Sequence, residues 1–203
     1  KNIKYDYKNW EVDTLSRRII AWISNYKLTY EDSTDDYKLK FNFIIRKQIN
    51  HLINEINRSE KVDDKILGCS AIILAGLAYK EDFFINYGFK LIKQIISNSI
   101  DNEGFPKSRN FRQLVFYLRY FILIREFLKD SQQEIPDYIN ETIYYLGQGY
   151  SLFCQSSVHS YLFNGNHNSN LDDLDSFLIQ NNYNFKTQIY DLAGYVLLKN
   201  KKS

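Results

Sequence analysis

The sequence predicts an all-α protein whose last residues enter a short stretch of β structure. Through most of the 203 residues, apolar side chains recur at intervals of three and four, which is the spacing of one face of an α-helix. The pattern fails after Gln155, and Lys186 to Leu198 alternates more like a strand. We therefore expect six or more helices in up-and-down order, joined by short loops.

Each predicted helix has its own apolar stripe, and two of them have unusual composition. The third is rich in small residues, which let helix backbones approach closely. The fifth is apolar almost all round, which is typical of a helix buried on most sides. Pro136 stands at a first-turn position and opens the sixth. The first five predicted helices cover residues 9–25, 41–56, 65–79, 83–100 and 110–129. The sixth begins at Pro136, and a shorter helix covers residues 172–179. Residues 26–35 are predicted as a polar loop and residues 59–64 as a charged connector.

Composition excludes several classes of function. The net charge of +2 and the isoelectric point near 8.4 lack the concentrated basic character of a nucleic-acid binder. No run approaches the ~18 apolar residues of a membrane span. Cys69 and Cys154 have neither a CxxC partner nor histidines at ligand spacing, so we expect no zinc site there. We also predict no other metal ligands and no cofactor. The chain contains no methionine, and we expect it to be a piece of a longer protein.

Three short polar runs interrupt the helical pattern. They are Glu103–Asn110, Phe163–Gly165 and Ala193–Leu197. Loops that carry glycine, arginine and asparagine between apolar helices are frequent places for binding chemistry. The tyrosine-rich composition, with 17 tyrosines, suits a sugar-binding cleft, but an AT-rich genome is the better explanation of it.

The order and spacing of these runs resemble those in the heparinase II/III-like polysaccharide lyases. That family has a glycine loop followed by Ser-Arg-Asn and a long helix, matched here by residues 102–110, and then a helix opened by proline, matched by Ile135-Pro136-Asp137. A Leu-Phe-Asn-Gly run and a Ser-Gly-Tyr run follow, matched by residues 162–165 and by Ala193-Gly194-Tyr195. The histidine frequent in the family's glycine loop is absent, because Phe105 and Pro106 occupy that stretch.

The resemblance implies a fold and an activity. The fold would be an incomplete α/α toroid of antiparallel helical hairpins over residues 1–185, followed over 186–203 by the start of a truncated β-sandwich. The full-length protein would cleave an acidic, uronate-containing polysaccharide by β-elimination and, if the resemblance holds, would be periplasmic; otherwise it would be cytoplasmic. The alternative is a non-catalytic glycan-binding or helical scaffold module.

Two candidate substrate-binding residues lie where the fifth helix begins. Arg109 can grip a carboxylate with two parallel hydrogen bonds, and Asn110 can donate to the same group. The backbone dipole of a helix N-terminus also favours anions. The other interpretation is structural, with Ser108 or Asn110 capping the helix and Arg109 as a surface charge.

The remaining candidates would handle protons or contact sugar. Tyr117 lies about two helical turns past Asn110, where it is either a proton carrier or a core residue. His167 lies in a polar loop, and the reference pKa of a histidine side chain, near 6.5, suits proton transfer, although an exposed loop histidine needs no function. Asn164 shapes a turn or contacts substrate, and Tyr161 either stacks on sugar or packs in the core. We expect Arg109, Asn110, Tyr117, Asn164 and His167 to converge on one cleft.

Overall fold

The computed structural model describes residues 7–153, 171–187 and 191–196. These residues form seven α-helices and one two-stranded antiparallel sheet, so the predicted all-α class with a short β end is confirmed. The helices are α1 (Val12–Ser24), α2 (Asp35–Glu55), α3 (Val62–Tyr79), α4 (Asp82–Ser99), α5 (Phe111–Asp130), α6 (Asp137–Phe153) and α7 (Leu171–Gln180), and the strands are β1 (Asp191–Leu192) and β2 (Tyr195–Val196).

The chain divides into two compact units. Unit 1 comprises Lys1–Ile95 with Glu126–Gln133, and unit 2 comprises Ile96–Arg125 with Glu134–Ser203. Unit 1 contains α1, α2, α3 and most of α4; unit 2 contains most of α5 together with α6, α7 and the strands. The arrangement of the helices as a toroid and the domain boundary between residues 185 and 186 stay predictions.

Unit 1 is held by the apolar faces of its first three helices. Helix α1 packs mainly on α3 and also on α2. In α3 every residue from Ile66 to Gly76 is buried, as expected for a helix with so many small side chains. Gly76 shows why they are needed: a Cβ there would lie 2.9 Å from the backbone nitrogen of Ile85. Other side chains with no exposure in this core include Leu15, Ile19, Ile45, Ile49 and Leu52.

Three helices end in the same way, with a non-glycine residue in the left-handed conformation. Lys80 follows α3, Gln132 follows α5 and Asn182 follows α7, with φ of 53°, 55° and 60°. After α3 the N–H of Glu81 donates to the carbonyl of Gly76 at 2.9 Å, which is the Schellman pattern. The sequence has no glycine at these three positions, so these ends were not marked by the usual signal.

Unit 2 is held by polar contacts between helices as well as by its core. The hydroxyl of Tyr150 on α6 donates to the carboxylate of Asp175 on α7. Arg125 on α5 donates to Asn140 on α6 at 2.9 Å, and the guanidinium of Arg119 lies 5.3 Å from the ring centroid of Phe177. Core side chains with at most 1% exposure include Leu114, Leu118, Phe121, Ile139, Leu146 and Leu174.

The structure corrects several predicted element boundaries. The segment predicted as a polar loop contains a π-helical turn at Lys27–Glu31, and α2 begins at Asp35 rather than near Phe41. Thr34 caps α2, since its hydroxyl accepts the N–H of Tyr37 at 3.4 Å. Helix α3 begins at Val62, inside the predicted connector. These differences arise because caps and π turns depend on local polar contacts that apolar spacing does not report.

None of the helices over 7–153 and 171–180 is both long enough and apolar enough to cross a lipid bilayer.

Candidate functional site

The loop between α4 and α5 is held by its own backbone hydrogen bonds. Residues Ile100 and Pro106 pair as an isolated antiparallel bridge, which closes the loop at its base. The N–H of Asp101 donates to the carbonyl of Phe105 and that of Lys107 to Ser99, both at 2.9 Å. The loop is therefore a fixed turn whose geometry is set by its own backbone.

The carboxylate of Asp101 organises this loop from inside. It accepts the backbone N–H groups of Glu103 and Phe105, both at 2.9 Å, and it forms an ion pair with Arg109. Partial burial by itself raises the pKa of Asp101, but the bond from Arg109 and the two N–H groups outweigh it and hold the pKa below its usual value. Asp101 is thus ionised at neutral pH and acts as the anchor of the loop.

Gly104 brings the loop against helix α6. Its φ is +75°, a region that residues with a side chain rarely adopt. A Cβ at this position would lie 2.1 Å from the Cβ of Tyr145 and 3.3 Å from its Cα. The glycine therefore meets two requirements at once, a left-handed backbone and a close approach to the helix.

An aromatic cluster joins the loop to the C-terminal hairpin. Phe105, Phe111, Phe153 and Tyr195 have ring centroids between 5.2 and 6.5 Å apart, mostly in edge-to-face or tilted arrangements. Phe105 has no exposure at all. Each such pair contributes on the order of 1 kcal/mol beyond its buried area. Phe105 is therefore a core residue that supports the loop.

The hairpin of β1 and β2 turns through two left-handed residues. Ala193 and Gly194 have φ of 57° and 79°, as in the type I′ turn that suits the twist of paired strands. The backbone N–H of Ala193 donates to the carboxylate of Glu103 on the loop. This contact joins residues 90 positions apart and places the hairpin beside the loop.

A cavity of about 570 Å³ lies among the loop, helix α6 and the hairpin. Two adjacent tyrosines of α6 contribute to it, Tyr144 with 57% of its surface exposed and Tyr145 with 47%. Their rings meet edge to face, with centroids 5.3 Å apart. The remaining side of the cavity combines polar and apolar residues. It is lined by Glu103, Gln148 and the hairpin residues Asp191, Leu192, Ala193, Gly194, Tyr195 and Val196.

The charge of this cavity is negative. Glu103 and Asp191 supply carboxylates, and the described lining includes no basic side chain. Exposed tyrosine rings offer flat apolar faces with a hydroxyl at the edge, and such surfaces bind ligands that are partly apolar and partly hydroxylated. The cavity can therefore hold a neutral, hydroxyl-rich ligand or a cationic group more easily than an anion.

Arg109 and Asn110 occupy structural positions at the start of α5. Asn110 caps the helix, since its side-chain oxygen accepts the N–H groups of Arg112 and Gln113 at 2.9 and 3.3 Å. Arg109 has φ of 58° and pairs with Asp101. Neither residue is part of the described lining of the tyrosine cavity. The capping interpretation of Asn110 is confirmed, and a substrate contact by either residue stays a prediction.

Tyr117 lies in the interior of unit 2, with 1% of its surface exposed. It lines none of the described cavities. A proton carrier must come within hydrogen-bond reach of its substrate, and this placement offers no direct route. The structure thus places Tyr117 where the core interpretation expects it, and its catalytic role stays a prediction.

The other predicted site residues, Tyr161, Asn164 and His167, lie outside the described residues. Their convergence with Arg109 and Asn110 therefore stays a prediction. Among the residues that the structure describes, no group of three or more histidine, cysteine or carboxylate side chains is arranged to hold a metal ion.

Sequence reasoning missed the two tyrosines that dominate the cavity. A signal was present, because Ile139, Ile143 and Leu146 mark the buried face of α6, and at 100° per residue Tyr144 and Tyr145 fall away from that face. Glu103 and Asp191 carried no comparable signal, because their proximity depends on how the hairpin folds back.

No protein-family model, no curated protein and no solved structure shows significant similarity to this chain.

Proposed function

We propose that this chain is the helical part of a polysaccharide-lyase-like protein and that the tyrosine cavity of unit 2 holds a segment of the glycan. The observation that carries the proposal is the pair of exposed rings, Tyr144 and Tyr145, in a cavity that also presents Glu103 and Gln148. Sugar rings have C–H faces that stack on aromatic rings and hydroxyl groups that bond to carboxylates and amides. The volume of about 570 Å³ suits a short oligosaccharide segment.

The β-elimination chemistry needs three groups. A base removes the proton alpha to the uronate carboxyl group, donors stabilise the negative charge that develops, and an acid protonates the departing sugar oxygen. A phenol at the cavity, from Tyr144 or Tyr145, suits the proton transfers, with His167 as the predicted partner. The donors to the carboxylate would come from Arg109 and Asn110, as the family resemblance implies.

The second candidate is a non-catalytic glycan-binding module, and the charge of the cavity favours it. A uronate carried into a site lined by Glu103 and Asp191 meets like charges, which costs binding free energy. Arg109, the expected counter-charge, is already paired with Asp101. A neutral glycan meets neither difficulty. If the protein is a glycan-binding module, its preferred ligand is therefore an uncharged sugar rather than a uronate.

One experiment tests both candidates. The full chain is incubated with a panel of uronate polymers, and the ultraviolet absorbance of the unsaturated product is followed; binding to the uronate polymers and to neutral glycans is measured in parallel. The double variant Tyr144→Ala/Tyr145→Ala removes both rings, and Tyr37→Ala removes a tyrosine of unit 1 with 45% exposure as the control. We expect the double variant to weaken glycan binding about tenfold and the control to leave it unchanged.

The outcomes separate the candidates. Unsaturated product that is lost in the double variant supports the lyase. Binding of neutral glycans without product, again lost in the double variant, supports the module. If neither uronates nor neutral glycans bind, or if both variants bind alike, the assignment of the unit 2 cavity is wrong.

A further inference from the structure

A second aromatic cavity lies in unit 1, and the function proposed for unit 2 does not use it. Its volume is about 410 Å³. Five aromatic rings line it, contributed by α1, α2, α3 and the segment around the π-helical turn, and Ile23, Asn42 and Ala78 complete the described lining. The rings belong to Trp22, Tyr26, Tyr30, Phe41 and Tyr79. We propose that this cavity is a binding site for a small planar aromatic acid.

The π-helical turn builds one wall of the cavity. Such turns insert an extra residue into a helical turn and are found often at functional sites. The hydroxyl of Thr29 donates to the carbonyls of Trp22 and Asn25, both at 3.0 Å, and so ties the turn to α1. Tyr26 and Tyr30 are thereby held beside Trp22 rather than left on a free loop.

The ring of Phe41 packs against two other rings of the cavity lining. Its centroid lies 5.8 Å from that of Trp22 and 5.4 Å from that of Tyr30. The interplanar angles are 37° and 58°, so the rings present both faces and edges. Aromatic pairs prefer offset or edge-to-face contact at such distances, and a planar guest ring can make the same contacts on several sides.

Three polar side chains of the cavity are joined by hydrogen bonds that orient the hydroxyl of Tyr30. The hydroxyl of Tyr79 donates to the side-chain oxygen of Asn42 at 3.1 Å, and the amide nitrogen of Asn42 donates to the hydroxyl of Tyr30 at 3.1 Å. Burial raises the pKa of Tyr79 to about 12, so Tyr79 stays protonated and fixes the direction of the chain. The hydroxyl of Tyr30 is therefore an acceptor from Asn42 and keeps its own proton for a ligand.

The charges around the rings select against a cation. Lys38 lies 5.5 Å from the ring centroid of Tyr30, and Arg46 lies 5.1 Å from that of Tyr79. Arg46 also forms an ion pair with Glu81 at 2.9 Å, which balances its charge, so Lys38 is the cation that acts on a ligand at these rings. A quaternary ammonium, which aromatic cages otherwise favour, would be a second positive group beside Lys38 at the ring of Tyr30. A ligand with a carboxylate instead meets favourable charge and the donor of Tyr30.

The test uses para-fluorobenzoate as the probe and fluorine NMR as the readout, with the full chain. We expect line broadening and a shift of the probe signal on binding. Tyr30→Phe keeps the ring and removes the donor, and it should weaken binding about tenfold, since a hydrogen bond to a charged group is being lost. Tyr37→Phe removes a hydroxyl that lies outside this cavity and should leave binding unchanged.

Two competitors decide the ligand class. Benzyltrimethylammonium, with a ring but a positive charge, and cyclohexanecarboxylate, with the charge but no aromatic ring, should both fail to displace the probe. The proposal is overturned if the probe does not bind, if Tyr30→Phe binds as the wild type does, or if either competitor displaces it. Because the variants lie in unit 1 and the probe is not a sugar, this result stands apart from the glycan assignment of unit 2.

Discussion

The two cavities of this protein are both lined by tyrosine, yet their chemistry is opposite. In unit 1 the rings come from helices and a π-helical turn, and Lys38 and Arg46 lie over two of them. In unit 2 the rings of Tyr144 and Tyr145 face irregular backbone, and Glu103 and Asp191 supply the charge. A tyrosine-rich composition therefore does not define a ligand, because the charged residues near each ring decide which ligands it accepts.

The cavities also differ in what holds them together. The unit 1 cavity rests on helices whose positions are set by a continuous apolar core. The unit 2 cavity rests on a loop and a hairpin, which are held by one carboxylate, one glycine and one aromatic cluster. We therefore expect single substitutions to damage the second more than the first, and the following predictions test that difference.

The largest difference is expected between two glycines. Gly104→Ala in unit 2 places a Cβ against the Cβ and Cα of Tyr145 at a left-handed φ, and we expect a loss of about 3–4 kcal/mol in the free energy of unfolding. In Gly68→Ala of unit 1 the nearest atom is the end of the Ile56 side chain, at 2.4 Å, which can rotate away. The higher helix propensity of alanine offsets the cost of this close contact, so we expect the free energy of unfolding to change by no more than about 1 kcal/mol.

Urea denaturation of both glycine variants measures this difference. Equal losses in the two variants would show that the loop is no more constrained than the helix core.

The next largest effect is expected at Asp101. Asp101→Ala removes two backbone hydrogen bonds and an ion pair, and we expect a loss of about 2–3 kcal/mol at neutral pH. Because the folded-state pKa is depressed, this contribution is complete above the unfolded value of about 3.9 and is lost as the pH falls through the folded value. The gap between wild type and variant should therefore close in acid.

Denaturation at several pH values checks the prediction at Asp101. Glu60→Ala, at an exposed carboxylate of unit 1, is the matched control and should change stability by less than about 0.5 kcal/mol at each pH. A gap between wild type and Asp101→Ala that stays constant below pH 4 would contradict the role given to this carboxylate.

A stabilising substitution is expected in the core of unit 1. The side chain of Gln48 has no exposure, and its oxygen and nitrogen have no hydrogen-bond partner among the described residues. Gln48→Leu removes the cost of burying these atoms at similar volume, and we expect a gain of about 1–2 kcal/mol. Gln133→Leu, at an exposed position, should be nearly neutral. Thermal unfolding that shows Gln48→Leu to be less stable than wild type would mean that the amide has a role the contacts do not show.

The smallest effect is expected in the hairpin turn. Ala193 adopts φ of 57°, where a Cβ is unfavourable, and Ala193→Gly should relieve about 0.5–1 kcal/mol while keeping the N–H that donates to Glu103. Gly194→Ala is the reverse change at a φ of 79°, where the added Cβ would meet no atom within 4 Å, so its cost reports backbone strain alone. Hydrogen exchange of the turn amides measures the stability of the hairpin turn in both variants. Faster exchange in Ala193→Gly than in the wild type would contradict the inference that the backbone is strained at Ala193.

The helices were predictable because their signal is local. Apolar residues at intervals of three and four mark the buried faces of α1, α4 and α6, and Pro136 marks the start of α6 within one residue. The π-helical turn was not predictable in this way, since it depends on Thr29 donating to Trp22 and not on a period. For the same reason the left-handed ends at Lys80, Gln132 and Asn182 were missed.

The amino-acid sequence was enough to predict the all-α class, the approximate positions of the α-helices and that Asn110 can cap α5. The position of Tyr144 and Tyr145 beside Glu103 and the burial of Tyr117 became known from the three-dimensional contacts. The two kinds of feature differ because they depend on interactions of different range. Helix formation depends on neighbours within four residues, whereas a cavity is made by contacts such as that between Glu103 and Ala193, 90 residues apart.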